Sequence, residues 1–357
     1  MAGRYDAITK ALKALALASL PIAWAGVGTL AYASLYERHA YRLREVTVPV
    51  LAPGSSPIRA LHLSDFHLLP WQTRKIEWVR ELARLQPDLI VNTGDNLGHA
   101  DTLRELQHML EPFRGLPGVI VHGSNDYYGP VFKNPLAYVI PALAKRRRAP
   151  KLNAGEMDAM LRREFGWRML DNRACDIDVA GQRIRWMGLA DPHIKRDRLR
   201  QMQAQLRELE STEQEPVARI GLVHAPYLKA VDALVHEGCD IVLAGHTHGG
   251  QVAIPGYGAI ITNCDLPRQY AKGLTPWPPP EAVSKARDID RERDALEPRS
   301  HLHVSAGLGT SVFAPFRLAC FPEATLLTLT PREPSDARAH ARAYTEAAAE
   351  SARSHRG

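Results

Sequence analysis

Ile58-Arg59-Ala60-Leu61-His62-Leu63 runs straight into Ser64-Asp65-Phe66-His67, and this junction decides how the rest of the chain reads. A short apolar run suited to a buried strand ends on an acid and an imidazole. The same device recurs: Leu89 to Val91 before Asn92-Thr93-Gly94-Asp95-Asn96, and Val119 to Val121 before His122-Gly123-Ser124-Asn125-Asp126. Further on, Ile184 to Ala190 precedes Asp191, Ile220 to Val223 precedes His224, and Ile241 to Ala244 precedes Gly245-His246-Thr247-His248. Helical stretches such as Lys75 to Leu85 and Thr102 to Leu110 separate these runs, which predicts an α/β fold of sheets flanked by helices. In such folds sites gather beyond the carboxyl ends of strands. An ionised carboxylate is costly to bury unpaired, so a cation accounts economically for acids and imidazoles placed there repeatedly.

Asp65 and His67 are two apart, so in extended backbone both side chains project to the same side and can approach one ion. One such pair reads equally well as a structural turn. His246 and His248 repeat the spacing, and Gly245, Gly249 and Gly250 around them leave room for close backbone approach. Asp95 and His224 complete a set of two carboxylates and four imidazoles, all after apolar strands. This mixed oxygen and nitrogen set suits Mn²⁺, Fe or Zn²⁺ and is unlike an oxygen-only Ca²⁺ cage. Six ligands exceed what one tetrahedral ion takes. Two divalent ions sharing a bridging carboxylate, typically ~3.5–4 Å apart, fit better. Cys175, Cys239, Cys264 and Cys320 lie far apart with no C-x-x-C pair, which argues against a thiolate zinc site.

The chain of 357 residues is 45% hydrophobic and 24% charged, which excludes collagen-like, wholly disordered and disulfide-scaffold classes. Its net charge of +6 is too mild and dispersed for a nucleic-acid footprint, and no nucleic-acid partner is expected. Ala14 to Tyr36 is uncharged and follows Arg4, Lys10 and Lys13, long enough for an N-terminal transmembrane helix. The rival reading is a cleaved signal peptide, since Ala31-Tyr32-Ala33 has the small-x-small form of a cleavage site. As an anchor it implies a single-pass protein of the cell membrane. Basic residues nearly balance on its two sides, with a lean toward an outward-facing catalytic domain. The expected organisation is residues 1–45 as anchor and juxtamembrane segment, 46–330 as one domain with insertions near 129–165 and 274–300, and 331–357 as a frayed tail. Between Gly129 and Lys151 six basic residues flank an apolar run, Leu136 to Ala144, which suits an anionic lipid surface or a solvated helix.

In order and content these motifs resemble the calcineurin-like metallophosphoesterases, whose scattered signature is D-x-H, G-D, G-N-H-D/E, a later H, and G-H-x-H, over roughly residues 58 to 330. Gly245-His246-Thr247-His248-Gly249-Gly250-Gln251, with Gly307-Leu308-Gly309-Thr310 and Pro322-Glu323, resembles the membrane-anchored bacterial branch of that family. The resemblance implies a four-layer α/β/β/α sandwich. It also implies that Asp65, His67 and His248 hold one metal, His224 and His246 the other, and Asp95 bridges both.

One motif departs. Where the family reads Gly-Asn-His-Asp, this chain reads Gly123-Ser124-Asn125-Asp126. The missing imidazole is linked in the family to leaving-group protonation, and an amide has no proton of useful pKa. Asn125 is expected to supply a carbonyl ligand by a small loop shift, with Ser124 as the fallback and a structural turn as the alternative. His99, just after Gly94-Asp95-Asn96-Leu97-Gly98, is the candidate to replace the acid; otherwise it is an exposed loop histidine. Asp126 reads as a loop-fixing acceptor, and His62 and His122 as structural residues. Asp191 either orients a ligand histidine or sits in a turn before Pro192.

Two cations bridged by Asp95 would lower the pKa of a shared water from ~15.7 toward neutrality and neutralise charge on phosphoryl oxygens. The expected function is hydrolysis of a phosphate ester, with a phosphodiester of a lipid or envelope component first because the anchor holds the site near a bilayer. The rival readings are a non-catalytic, membrane-tethered metal-binding scaffold that lost its acid at Asn125, and a nuclease. No aromatic-studded basic groove supports the nuclease.

Overall fold

The computed structural model describes residues 19–131, 149–211, 215–279 and 300–333. Two six-stranded sheets form the body. The first has the order β1 (Arg42–Leu51), β14 (Glu323–Pro331), β2 (Ile58–Leu63), β3 (Leu89–Asn92), β4 (Gly118–Ile120), β5 (Arg168–Met169). The second runs β12 (Gly273–Trp277), β13 (Ser300–Val304), β9 (Ile241–Ala244), β8 (Ala218–Val223), β7 (Gln182–Leu189), β6 (Arg173–Val179). The centre of each sheet is parallel: β2 through β5 in one, and β13, β9, β8 and β7 in the other.

Alternation along the strands explains the layering. In β2, Ile58 and Ala60 face the second sheet, where they meet Ile220, Leu222 and Trp186. Leu61 and Leu63 point the other way, onto α2 (Thr73–Glu81), α3 (Leu103–Leu110) and α5 (Ala154–Phe165) through Ile76, Val79, Leu106 and Met157. In β9, Ile241 and Leu243 face inward while Val242 and Ala244 pack on α6 (Leu199–Glu210) and α7 (Leu228–His236). The order is therefore helices, sheet, sheet, helices. Buried parallel strands carry apolar residues on both faces, which is why they read as unbroken runs rather than alternating ones.

The structure redraws several expected boundaries. The helix α1 covers residues 19–31 and continues as a π turn, Tyr32–Tyr36, and a 3-10 turn, Glu37–His39. The transmembrane helix expected over 14–36 is not met: residues 14–18 lie outside the described residues, and no described helix is long and apolar enough to cross a membrane. β1 starts at Arg42, inside the segment expected to be juxtamembrane, because its register with β14 begins at the Arg42 and Glu323 pair. Residues 274–277, expected as the start of an insertion, belong to β12, which pairs antiparallel with β13. Pro276 is tolerated there because β12 is an edge strand and needs no further donor. Ala154–Phe165, expected within another insertion, is a core helix that buries Met157, Leu161 and Phe165. The basic stretch at 133–148, the charged stretch at 281–299 and the tail from 334 lie outside the described residues.

Candidate metal centre

Every parallel strand named in the sequence reading ends at one rim. Asp65 and His67 follow β2, Asp95 follows β3, Gly123 to Asp126 follow β4, His224 follows β8, and His246 and His248 follow β9. The two i, i+2 pairs converge differently from expectation. Asp65, His67, His246 and His248 have φ of 51°, 40°, 69° and 51°, and Asp95 has 56°, so left-handed turns and not extended backbone aim these side chains. Each such non-glycine residue costs of order 1–3 kcal/mol and persists only where its surroundings over-determine it; such residues cluster at active sites.

Two groups of side chains could each hold a metal ion: Asp65, His67 and His248, and Asp65, Asp95 and His224, with ligand atoms in each group within 4.8 Å of one another. His67 Nε2 and His248 Nε2 lie 3.1 Å apart. Asp65 is common to both groups, and Asp95 Oδ2, in the second, stands 3.4 Å from His224 Nε2 and equally 3.4 Å from His67 Nε2 of the first. His246 lies outside both; its ring is 5.2 Å from that of His224, and its Nε2 is 3.3 Å from the Asn263 carbonyl. Its backbone amide donates to Asp65 Oδ2 at 3.0 Å.

The donor set fits a divalent cation. His224 is fully buried, its Nδ1 sits 2.6 Å from the Thr93 carbonyl and so carries the proton, and its Nε2 has no hydrogen-bond partner. Burial opposes a charge on this ring, but Asp95 outweighs it and raises His224 well above its ordinary value, so Nε2 beside that carboxylate holds a proton that a bound cation would displace. Burial holds His67 down to about 4 and, together with His224, holds His246 down to about 3, so both rings are neutral at neutral pH. Burial also pushes Asp65 up to about 6, partly offset by His224 and the Ser64 hydroxyl, so its carboxylate lacks a full counter-charge. At Asp95 burial opposes ionisation, but His224 and His67 outweigh it and hold the carboxyl well below the usual range.

Small residues and a second layer of polar groups hold these positions. A Cβ at Gly123 would stand 2.6 Å from the His224 ring and collide with Asp95 Oδ1; one at Gly245 would stand 2.5 Å from Asp65 Oδ2. Asp126 accepts from the amides of Asp95 (2.8 Å), Asn96 (2.8 Å) and Gly123 (2.9 Å), which makes it the loop-fixing acceptor the sequence suggested. Ser64 Oγ donates to Asp65 Oδ2 at 2.5 Å and accepts from Thr93, whose hydroxyl also meets His62; His62 in turn meets His303 across the sheet interface. His62 is thus structural, as read.

Asn125 does not present its carbonyl to the centre. Its backbone N–H donates to Asp95 Oδ1 and its Nδ2 to Asp95 Oδ2, each at 2.7 Å, because a buried carboxylate draws donors and the four-residue helix α4 (Ser124–Tyr127) brings both within reach. His99 stays on the surface, half-exposed, with Nδ1 accepting the Asp101 amide at 3.2 Å. Asp191 caps the turn before His193 through Oδ1, the turn role foreseen for it, while its buried Oδ2 has no partner.

Two residues escaped the sequence reading. The His193 ring packs 4.7 Å from that of His246 and its Nδ1 is 3.1 Å from the Tyr227 hydroxyl. The strand-then-polar device could have found it, since Asp191-Pro192-His193 follows β7. Arg317 had no local signal: fully buried, it donates to the carbonyls of Gly309 (2.6 Å), Ala306 (2.7 Å) and Gly307 (3.0 Å) and tethers the loop beside His248.

The calcineurin-like phosphoesterase superfamily domain matches residues 58–257. An uncharacterized metallophosphoesterase of Aquifex aeolicus is 26% identical over 306 residues, covering 84% of this chain and 95% of that protein. The uncharacterized metallophosphoesterase YkuE of Bacillus subtilis is 25% identical over 314 residues, covering 85% and 90%. Among solved structures, a hypothetical protein of Thermus thermophilus aligns with a TM-score of 0.32 at 19% identity, over 54% of this chain and 68% of that one.

Proposed function

Because the chain belongs to the calcineurin-like phosphoesterase superfamily and is a metal-dependent phosphoester hydrolase, we propose that its centre hydrolyses a phosphodiester of a lipid or cell-envelope component with two divalent cations, Mn²⁺, Fe or Zn²⁺. The observation that carries the two-cation reading is Asp95 Oδ2, equally spaced at 3.4 Å from an imidazole of each ligand group. Asp65, His67 and His248 would hold one cation; Asp95 and His224, with His246 beside them, would hold the other. When bound, such cations acidify water and neutralise phosphoryl oxygens. The chain's own part is positioning: Asp126 fixes the Asp95 loop, Thr93 sets the His224 tautomer, and Ser64 orients Asp65. Asn125 serves as a donor to Asp95. A lipid substrate is favoured by the uncharged stretch from Ala14 to Tyr36, whose composition suits an apolar medium.

The test is metal analysis of the purified full chain together with manganese-stimulated cleavage of a chromogenic phosphodiester. About two ions per chain and turnover abolished by Asp95→Asn support the reading. Bound metal with no turnover of any phosphate ester hands the site to the scaffold reading instead.

A further inference from the structure

Every large apolar side chain exposed among the described residues belongs to one of four segments: α1 with its π turn, Trp71, the hairpin of β10 (Ala253–Ile254) and β11 (Gly258–Ala259) with its flanks, and Phe313. The other described surfaces expose none. Three of these segments are joined to one another. The loop carrying Phe313 holds the end of α1 through Arg317 N to the Ala33 carbonyl (3.1 Å), Cys320 N to Glu37 (2.6 Å) and Arg38 to the Pro315 carbonyl (3.1 Å). The same loop holds the hairpin through Ala253 N to the Leu318 carbonyl and Gln251 to the Ala314 carbonyl, both 2.8 Å. Tyr41 packs against Trp78 of α2, the helix that Trp71 precedes.

Three of the segments follow residues of the metal centre closely along the chain. Trp71 lies four residues after His67, Ile254 six after His248, and Phe313 four after Gly309, whose carbonyl meets His248 Nδ1 at 3.2 Å. Across residues 19–44, 66–76, 249–263 and 305–322 the only acid is Glu37, buried and bound to the Cys320 amide; Arg38, Arg42, Arg44 and Arg74 reach the surface, Arg44 paired with Glu323, while Lys75 and Arg317 are buried.

We propose that this rim docks on an anionic lipid bilayer and delivers substrate to the centre from the membrane surface. Contiguous exposed apolar surface marks a site of association. A protein groove would cover one stripe of a helix, whereas Leu20, Ile22, Trp24, Val27 and Leu30 are exposed all around α1, which calls for a surrounding apolar medium. Aromatic tips beside the surface cations Arg38, Arg42 and Arg74 match the headgroup region of such a bilayer. Arg268, with its guanidinium 3.4 Å over the Tyr257 ring, adds a cation at the hairpin. As a route to substrate this rests on the hydrolase reading above; the docking itself does not.

The experiment is amide hydrogen exchange of the full chain with and without phosphatidylcholine–phosphatidylglycerol vesicles. The expected result is exchange slowed about tenfold in 254–261 and 311–316, with α6 unchanged. Ile260→Ser with Phe313→Ser, both at exposed positions, should weaken vesicle binding about tenfold and leave turnover of a soluble phosphodiester unchanged. Arg74→Glu with Arg268→Glu, which reverses two surface charges, should weaken it similarly. Protection confined to residues 19–36, or vesicle binding unaltered in both variants, overturns the docking face, as does protection that appears only with a protein partner. Slowed exchange at the rim without turnover of any ester leaves the docking face standing and sinks the hydrolase reading.

Discussion

His122→Leu is the perturbation whose cost the structure sets most directly. The ring is 2% exposed and clasped by two carboxylates, Nε2 at 2.7 Å from Asp158 and Nδ1 at 3.0 Å from Asp171. Its backbone amide donates to the other Asp171 oxygen at 2.9 Å. Burial opposes the charge, but the carboxylates outweigh it and raise His122 well above its ordinary value, so it is a cation at neutral pH. Leucine would fill the space and leave two carboxylates facing each other. Breaking a buried pair by removing one partner costs ~3–5 kcal/mol; since both carboxylates keep some solvent, about 3 kcal/mol is expected, some hundredfold in the folded-to-unfolded ratio. The pH dependence follows from both partners. A raised histidine contributes fully below its ordinary ~6.5 and loses that contribution only as pH rises through the higher folded value. Asp171, lowered in the fold because His122 and its hydrogen bonds overcome burial, contributes above the ordinary carboxylate value and fades as acid reaches its lowered one. Urea denaturation of both proteins across pH should therefore show the gap widest between about 4 and 6.5, narrowing above as the histidine's contribution fades and below as the carboxylates protonate. A gap below about 1 kcal/mol at about pH 6, or one that keeps widening below about pH 4, would refute the clasp.

Three further outcomes are expected. His193→Ala removes the ring packed on His246 and should lower metal affinity, read by titration with manganese, by roughly 10–100-fold while folding survives; an unchanged affinity would make that contact incidental. Gly245→Ala places a Cβ 2.5 Å from Asp65 Oδ2 and should cut both metal content and turnover at least about tenfold, with metal analysis deciding. His99→Ala should leave kcat and KM within about twofold; a large loss in kcat would return it to the reaction.

Much of the fold is legible because burial leaves a trace in composition. β2, β3, β8 and β9 are central parallel strands covered on both faces, and their apolar runs are visible without a structure. Ligand identity is legible for a related reason: an acid or imidazole immediately after such a strand has few alternatives to the rim of a sheet. What misled the reading was backbone. Alternation of extended residues accounts for the Asp65 and His67 spacing on paper, yet both residues are left-handed, and nothing local announces a φ that tertiary contacts impose. Residues 274–277 read as the start of an insertion because a proline-bearing edge strand looks like a breaker until its neighbours are known.

The order of strands and polar turns, and the choice of oxygen and nitrogen donors over thiolates, are written in the residues themselves, since they depend on local hydrophobicity and side-chain chemistry. Partnership is not. That Asp95 stands between His67 and His224, that Asn125 turns its amide toward it, that His193 backs His246 and that Arg317 binds the loop beside His248 all join residues tens to hundreds of positions apart. The contacts of His67 and Asn125 with Asp95, and of His193 with His246, need strands of one sheet set side by side, and that of Asp95 with His224 exists only once the two sheets pack face to face and bring the carboxyl ends of both sets of strands to one rim.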